Sequence, residues 1–525
     1  MKEEKLALSL LKELHRRPGL LLGLFAFTVY LLTLAPSYLW SDSAKLAIYV
    51  YERNFVGVGY EFHPLHTLLG YVFSLLPLPL AYSQNVMSAF FAAGTLYFLF
   101  IMLRTETGDP VAAALACSAL AVSQLFWLYA VINETYSLVT FFLVLILFLS
   151  LKWAREKRAY LLYLIAFLFG MGFANHAMTA LFLPGTVLLL WDKKLPRLNL
   201  RLFFKMTLAV ISFLMGASPV FLLPLFEGMT LSALLSELME TTHGHYGTFM
   251  QGFSKLIREI LRYPLYLLYQ FPTIGVWIGG YGFIGSVRDK FRLILSTFTI
   301  WLAVLLFACQ YFLQRQFAML IPSFVIFSIW IGLGISLLGQ RYPARRTLRT
   351  VGILFVLLCM LPPWIYYGTY RLAETIQLDL SFVRKLPYRN TYRYYLFPPK
   401  NLETGAEEYV EDSFKQAREG AIVLTDFNPG AALLYGQKVL GRRKDLRILV
   451  MVDDWVHHGG NSPQGILGFL RTKVGEKDRP IYLSDNWEEY YHASVLEKEF
   501  ILKQEGGPLW EVLKKEDGQD PSMKE

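Results

Sequence analysis

Cysteine is scarce in this chain of 525 residues and absent from its C-terminal part. Cys117, Cys309 and Cys359 all lie inside apolar runs, so neither a disulfide framework nor a zinc cluster is available. The sequence lacks a Walker A pattern and a dinucleotide-binding fingerprint, which argues against nucleotide hydrolysis and against a nucleotide cofactor. It also lacks internal repeats and low-complexity tracts, so a repeat architecture is excluded.

Apolar residues are what the chain has in excess. They make up 54% of it, with 16% aromatic residues and a mean hydropathy of +0.39, a balance that a soluble chain of this length would not tolerate. The net charge of +9 comes from short basic clusters between apolar runs, as in cytoplasmic loops, so nucleic acid is excluded as a partner. The composition predicts an integral membrane protein surrounded by the lipid bilayer.

About eleven apolar runs are long enough, with tilt, to cross a bilayer core ~30 Å thick. The first follows a basic N-terminal stretch without a cleavage pattern, which predicts an uncleaved span. Basic clusters in alternate loops predict a cytoplasmic N-terminus and an extracytoplasmic C-terminus in a bacterial or archaeal plasma membrane. The predicted spans are 18–38, 84–103, 110–130, 135–152, 159–174, 177–191, 203–226, 263–285, 293–312, 316–338 and 350–369.

Two predicted outward loops are long. Within 39–83, the moderately apolar piece 66–80 is predicted to be an in-plane or re-entrant helix, because a full span there would invert every later loop. Residues 227–262 are predicted to form an amphipathic surface segment, with Lys255, Arg258 and Arg262 on its polar side.

The C-terminal part, 371–525, has the pattern of a small soluble α/β domain. Three β-rich segments, 421–427, 448–455 and 481–487, are separated by helical stretches, which predicts a largely parallel sheet. Each segment ends in an acid and an aromatic residue, which are Asp426 and Phe427, Asp454 and Trp455, and Asp485 and Trp487. These acids could line a ligand crevice at the strand ends, but capping of the following helices is the preferred interpretation.

Polar residues from distant parts of the chain are predicted to meet at the outward ends of the spans. Charge is costly at a membrane boundary, so each such residue is a candidate for function, and together they predict a membrane-embedded site that opens outward. They are Asp42, Glu61, His63, His66, Glu134, Asn175, His176, His243, His245 and Arg315.

The predicted location limits the chemistry. Nucleotide sugars are absent outside the cytoplasm, so an activated sugar would have to arrive on a lipid, as a polyprenyl-phosphate sugar. Transfer needs a carboxylate to take the proton of an acceptor hydroxyl and a cation to hold the departing phosphate. The acceptor can be a protein, a lipid or a glycan.

A series of short motifs follows one another through the membrane region: Trp40-Ser-Asp42-Ser43, His63-Pro64, Leu68-Leu-Gly70, Phe126-Trp127, Glu134-Thr-Tyr136, Asn175-His176, Pro184, Tyr246-Gly247, Gln270-Phe271 and Arg315-Gln316. In order and spacing they resemble the domain of unknown function 2723 family. The C-terminal Asp426, Tyr435, Arg443 and Asp445 resemble its bacterial members.

That family resembles the GT-C glycosyltransferases, and a eukaryotic relative is a protein O-mannosyltransferase. The resemblance implies a GT-C-like membrane domain over 1–370, a polyprenyl-phosphate sugar donor with mannose as one candidate, and inversion at the sugar carbon. It also implies an Asp base in the first outward loop, which is Asp42 here. Where the family usually has Asp-Ser-Gly-Glu, this chain has Asp42-Ser43-Ala44-Lys45.

Each candidate residue has a plainer alternative. Asp42 is the predicted catalytic base, and the alternative is the N-cap of a helix starting at Ser43. Arg315 is the predicted phosphate ligand, and the alternative is interfacial snorkelling. The other predicted donor- or acceptor-binding residues could simply satisfy loop or helix-end groups: they are His63, Glu134, Asn175, His176 and Tyr246.

The predicted function is therefore a membrane glycosyltransferase. A transporter or flippase for a lipid-linked sugar is one alternative, and a non-catalytic scaffold for the α/β domain is another. His243 and His245 could bind a divalent metal, but the sequence offers no convincing third ligand nearby, so no metal cofactor is indicated.

Overall fold

The computed structural model describes residues 17–55, 63–191, 200–234, 236, 253–311, 317–379, 383–450, 463–474 and 479–515. Apolar helices dominate up to residue 375, and a small mixed sheet with helices follows. Within these ranges, five helical segments are long and apolar enough to cross a membrane, and two bent helix pairs raise the number to seven if each is one span. Three shorter apolar helices, Pro18–Leu32, Ala159–Asn175 and Ala177–Leu190, accompany them.

The helices of the membrane region are short or interrupted at several points, where 3₁₀ or π turns are inserted. In chain order they are α1 Pro18–Leu32, α2 Asp42–Glu52, α3 Pro64–Ser74, α4 Leu80–Thr107, α5 Pro110–Ala121, α6 Gln124–Ala130, α7 Tyr136–Glu156, α8 Ala159–Asn175, α9 Leu183–Leu190, α10 Leu200–Gly216, α11 Ser218–Phe226, α12 Phe253–Gln270, α13 Gly275–Gly285, α14 Phe291–Gln310, α15 Ile321–Arg341, α16 Leu348–Phe355 and α17 Leu361–Thr375.

Several predicted spans differ from the observed helices. The first ends at Leu32 rather than at 38, because Pro36 disfavours helical geometry at the residue before it. The predicted span 110–130 is two helices bent by 71°, and 203–226 is bent by 48°. The predicted span 263–285 is divided between α12 and α13. The predicted helix within 66–80 is confirmed as α3, which begins at Pro64.

Close approach of α13 to α15 depends on glycine. A Cβ on Gly282 would collide with the main-chain oxygen of Trp330, and a Cβ on Gly334 with that of Ile278. Small residues at such positions let helix backbones touch, which is how membrane helices gain packing energy without a hydrophobic driving force between them.

The described residues of the C-terminal part form five strands in the order β2-β1-β3-β5-β4. Strands β1 and β2 are parallel, as are β1 and β3, so the predicted parallel part is confirmed. Strand β5 pairs antiparallel with β3 and β4, and this antiparallel edge was not predicted. The elements are α18 Thr391–Leu396, α19 Gly405–Gln416, β1 Ile422–Thr425, α20 Phe427–Leu434, β2 Arg447–Val450, α21 Pro463–Lys473, β3 Ile481–Leu483, α22 Glu488–Tyr491, α23 Ala493–Leu496, β4 Phe500–Gln504 and β5 Trp510–Lys514.

One apolar core joins the sheet domain to the loop and helix after α1. The ring of Tyr38 lies 4.2 Å from that of Tyr435, and the ring of Trp40 lies 5.3 Å from that of Tyr409. At the far end of α2, Lys438 pairs with Glu52 at 2.8 Å. The soluble part therefore packs directly on the segment that carries Asp42. The domain limits 1–370 and 371–525 stay a prediction.

We expect Gly282→Ala to lower the thermal midpoint of the detergent-solubilised protein, since the added methyl group must separate α13 from α15 at a cost of about 1–3 kcal/mol. Gly280 is the matched control on the same helix, because a Cβ there meets nothing within 4 Å. Gly280→Ala should leave the midpoint unchanged or slightly higher. Equal midpoints for the two variants would contradict this account of the packing.

Candidate functional site

The backbone before Asp42 is strained and held from two sides. Ser41 has φ of 61° and ψ of −135°, a conformation that costs a non-glycine residue about 1–3 kcal/mol. Its N–H donates to the carbonyl of Asn428 in α20 at 3.3 Å, and its own carbonyl accepts from the N–H groups of Ala44 and Lys45. The sheet domain thus fixes the turn from which α2 starts.

Asp42 occupies the first turn of α2, and the N-cap position belongs to Ser41. The alternative prediction, in which Asp42 caps a helix starting at Ser43, is therefore wrong by one residue. The Asp42 side chain is half-buried, and the positive end of the helix dipole favours its ionised form.

A second carboxylate lies in the same neighbourhood. Asp42 and Glu134 both act electrostatically on the phenol groups of Tyr129 and Tyr136, whose rings are 5.3 Å apart. Glu134 is half-buried in the short turn between α6 and α7. The structure therefore brings the two predicted acids together at one end of the helix bundle, which we call the site end.

The two predicted histidines stack at the site end. The rings of His63 and His176 are 5.1 Å apart and inclined by 25°. The Nδ1 atom of His63 lies 2.7 Å from the carbonyl oxygen of Asn175, which can only accept, so Nδ1 carries the proton. Burial lowers the pKa of His63 to about 4, against the opposing effect of this hydrogen bond. His63 is therefore a neutral donor at physiological pH.

His176 itself has a structural task. Its Nδ1 accepts the N–H of Met178 at 3.1 Å and so caps the 3₁₀ turn Ala177–Phe182. The plainer alternative for His176, satisfaction of a helix-end group, is thus confirmed for one ring nitrogen. Its ring also lies 5.7 Å from that of Tyr136, which connects the histidine pair to the tyrosines beside the carboxylates.

Three buried asparagines at the site end present oriented amide oxygens. Asn133 donates to the carbonyl of Ser43 at 3.0 Å, Asn175 to that of Thr135 at 3.3 Å, and Asn85 to that of Ala35 at 2.9 Å. A carbonyl can only accept, so each amide group is fixed with its NH₂ half engaged. The three Oδ1 atoms are buried and have no hydrogen-bond partner among the described residues. Such acceptors suit hydroxyl donors.

The segment after α17, the last apolar helix, lies across the site end. The main-chain oxygens of Tyr395 and Leu396 accept from Gln124 and Tyr269, each at 2.8 Å. Tyr394 is half-buried, and its phenol is subject to the charge of Glu134. This segment was not among the sequence-predicted site residues.

Lys400, four residues beyond α18, is fully buried. Its N–H donates to the carbonyl of Thr33 at the end of α1, and its ammonium donates to the carbonyl of Phe397 at 2.6 Å. Burial lowers the pKa of Lys400 to about 7; nearby Glu403 opposes this effect and Arg393 adds to it.

Lys45, the departure from the family motif, faces the sheet domain. Its ammonium lies 4.8 Å from the ring centroid of Phe427 in α20 and 5.9 Å from that of Tyr49. A cation over aromatic faces is stabilised by the ring quadrupoles. Lys45, which stands where the family usually has an acid, thus makes a cation–π contact between α2 and the sheet domain.

The acids after β1 and β3 form a structural network. Asp426 accepts the N–H of Asn428 at 3.0 Å, which confirms the capping prediction for this residue. Arg384 donates to Asp426 and Asp485, each at 2.5 Å, and its guanidinium lies 5.1 Å from the ring of Trp487. The chain's own arginine therefore fills the crevice at the ends of the parallel strands.

Some predicted site residues lie outside the described residues: Glu61, His243, His245, Tyr246, Arg315 and Asp454. Within the described ranges, no group of three His, Cys, Asp or Glu side chains could hold a metal ion.

Sequence reasoning missed Tyr129, Asn133 and Tyr394. Asn133 had a local signal, because it directly precedes Glu134 in the same outward turn. Tyr129 is one more aromatic residue in an apolar run, and Tyr394 is far from the membrane region in sequence. Neither had a pattern that could single it out.

The fold defines a class. Over 94% of this chain and 97% of the other, the structure superposes on the crystal structure of ArnT from Cupriavidus metallidurans bound to undecaprenyl phosphate, with a TM-score of 0.61 at 13% identity. The apo state of the same protein gives a TM-score of 0.56, also at 13% identity and with the same coverage. The chain is an integral membrane protein with a GT-C-like fold.

Sequence comparison shows similarity to one named family over part of the chain. The model of the family "Protein O-mannosyl-transferase TMEM260 N-terminal domain" matches residues 62–199. The chain is 24% identical over 281 residues to protein O-mannosyl-transferase tmem260 of Dictyostelium discoideum, covering 47% of this chain and 34% of that protein. It is 25% identical over 276 residues to TMEM260 of Mus musculus, covering 47% and 38%. The match thus spans little more than a third of these curated relatives.

The buried ammonium of Lys400 predicts a pH-dependent stability. Its folded pKa of about 7 lies below the usual ~10.4 of an unfolded lysine, so between these values the unfolded chain binds more protons. The free energy of unfolding should therefore rise with pH over this window, and this contribution should be lost as the pH falls toward 7. Relative to Lys400→Met, the wild-type thermal midpoint should increase from pH 7 to pH 10.

The exposed Lys503 serves as the control for this measurement. The difference in midpoint between wild type and Lys503→Met should stay flat over the same pH range. A flat difference for Lys400→Met as well would show that Lys400 does not titrate between the folded and unfolded states.

Proposed function

We propose that this protein is a glycosyltransferase that moves a sugar from a polyprenyl-phosphate donor to a hydroxyl acceptor on the extracytoplasmic side of the membrane. The observation that carries the proposal is the meeting of Asp42 and Glu134, with two tyrosine phenols, at one end of a GT-C-like helix bundle. Relatives named protein O-mannosyl-transferase support mannose as the sugar and a protein hydroxyl as the acceptor.

In the proposed reaction Asp42 is the base. Its carboxylate takes the proton of the acceptor hydroxyl while the acceptor oxygen bonds to the sugar C1 atom. The bond from C1 to the phosphate oxygen breaks at the same centre, and its electron pair leaves with the polyprenyl phosphate. Attack from the face opposite the leaving group inverts the configuration at C1. Base assistance of this kind contributes roughly 10²–10⁴-fold.

The remaining site residues are proposed to bind substrates. The neutral His63 ring and the amide oxygens of Asn133 and Asn175 can exchange hydrogen bonds with sugar hydroxyls. Glu134 is proposed to orient the acceptor, with His176 packed behind. Tyr246 and Arg315 remain proposed donor ligands, with Arg315 on the phosphate.

A flippase would need polar groups along the whole membrane depth. The named site residues that the structure describes all lie at the site end. Deeper in the bundle, hydroxyls such as those of Thr95, Ser150 and Thr297 donate to carbonyls of their own helices, at 2.7–2.9 Å. The gathering of the named site residues at one end favours an enzyme over a transporter.

Asp42→Asn tests the proposed base. The amide keeps the shape of the carboxylate but cannot take the acceptor proton, so turnover should fall by about two to four decades with normal folding. Glu52→Gln is the matched control: an acid at the other end of the same helix, paired with Lys438. It should keep near wild-type turnover. Wild-type turnover in Asp42→Asn would remove Asp42 from the mechanism and leave it a structural residue at the start of α2.

The proposed orientation has its own test. The three native cysteines are buried, so single cysteines can be introduced at Arg158, between α7 and α8, and at Lys503, in β4. In intact cells a membrane-impermeant maleimide should label Lys503→Cys only, and both after lysis. Labelling of Arg158→Cys alone in intact cells would place Asp42 in the cytoplasm, where a lipid-linked donor offers no advantage.

A further inference from the structure

Three arginines, Arg384, Arg389 and Arg393, stand close together in sequence before and within α18. Arg384 is neutralised by Asp426 and Asp485, and Arg393 pairs with Glu403 at 2.9 Å. Arg389 pairs with no carboxylate among the described residues. Among the described residues, carboxylates thus neutralise two of the three positive charges, and the charge of Arg389 has no carboxylate partner.

Arg389 is nevertheless held firmly. Its guanidinium lies 4.8 Å from the ring centroid of Tyr394 and 5.1 Å from that of Tyr395, and one terminal NH₂ donates to the carbonyl of Arg384 at 2.5 Å. Its Nε–H is buried without a hydrogen-bond partner among the described residues. A guanidinium held by aromatic faces loses little entropy when it binds a further ligand.

The position of Arg389 suits a lipid headgroup. The next residue, Asn390, donates to Glu374 at 2.5 Å, in the last turn of α17, where the final apolar segment ends. The Tyr394 phenol, whose ring the Arg389 guanidinium faces, is subject to the charges of both Arg389 and Glu134. Arg389 therefore lies close to the end of the last apolar segment and next to a phenol that senses the charge of Glu134.

We propose that Arg389 binds the phosphate of the lipid-linked donor, an inference that rests on the proposed function. A polyprenyl-phosphate sugar carries one negative charge on a phosphodiester, and the departing polyprenyl phosphate gains a second. A fixed guanidinium can donate two parallel hydrogen bonds to phosphate oxygens and interacts more strongly as that charge develops. Arg389 would thus help to bind the donor and to stabilise the leaving group.

Binding measurements on the purified full-length chain test this proposal without any transfer assay. The probe is a short-chain polyprenyl phosphate, with the uncharged polyprenol of the same length beside it. Arg389→Gln should raise the Kd for the phosphate roughly tenfold to hundredfold and leave the Kd for the polyprenol unchanged. Arg371→Gln is the control, because Arg371 lies at the same end of the bundle but pairs with Glu374.

Arg389→Lys keeps the positive charge over the tyrosine rings but cannot donate two parallel hydrogen bonds to a phosphate. The variant should therefore fold normally and bind the phosphate several-fold more weakly. This variant decides the question if Arg389→Gln does not fold. An unchanged phosphate Kd in folded Arg389 variants would overturn the proposal, as would equal weakening for phosphate and polyprenol. Absence of polyprenyl-phosphate binding in the wild type would instead contradict the proposed function itself.

Discussion

Ser41 holds a backbone conformation that serine rarely adopts, and the contact that keeps it there comes from the other part of the molecule. The carbonyl of Asn428 accepts the Ser41 N–H, while Tyr38 and Trp40 insert their rings among Tyr435 and Tyr409. Strain of this kind persists only when the surroundings over-determine it. The position of the Asp42 carboxylate therefore depends on how the sheet domain is docked.

The sheet domain therefore has a structural role, the positioning of Asp42, for which it need not bind a ligand itself. Its strand-end crevice, where open α/β sheets often hold a ligand, is filled by Arg384 between Asp426 and Asp485. The segment between α17 and α19 instead contributes Tyr394, which is subject to the charge of Glu134. It also contributes the buried Lys400, whose N–H donates to the carbonyl at the end of α1. The sheet domain and the segment that leads to it thus line the site end and hold the turn from which Asp42 projects.

Local patterns predicted a good share of this arrangement. Apolar run length predicted the helical membrane region, and the topology drawn from the basic loops predicted that Asp42, Glu134 and the histidine pair lie at the same end of it. The antiparallel edge was missed because β4 is mostly exposed and carries Lys503 and Gln504, so its pattern is weak. Helix breaks were missed because hydropathy does not record a change of direction.

The contribution of Tyr394 could not be predicted, since its nearness to Glu134 arises only when segments far apart in sequence fold together. The same holds for the amide orientation of Asn133, which is set by the Ser43 carbonyl on another element. Such contacts depend on the packing of whole elements, and no local signal in one sequence encodes them.

The central claim is that the site end transfers a sugar from a lipid phosphate. The most direct measurement incubates the purified protein with radiolabelled polyprenyl-phosphate mannose and membranes, and follows the label and the configuration of its C1 atom. Label should appear in an alkali-sensitive, protein-linked mannose of inverted configuration. Label that stays on the polyprenyl phosphate, or that only moves between leaflets, would contradict it.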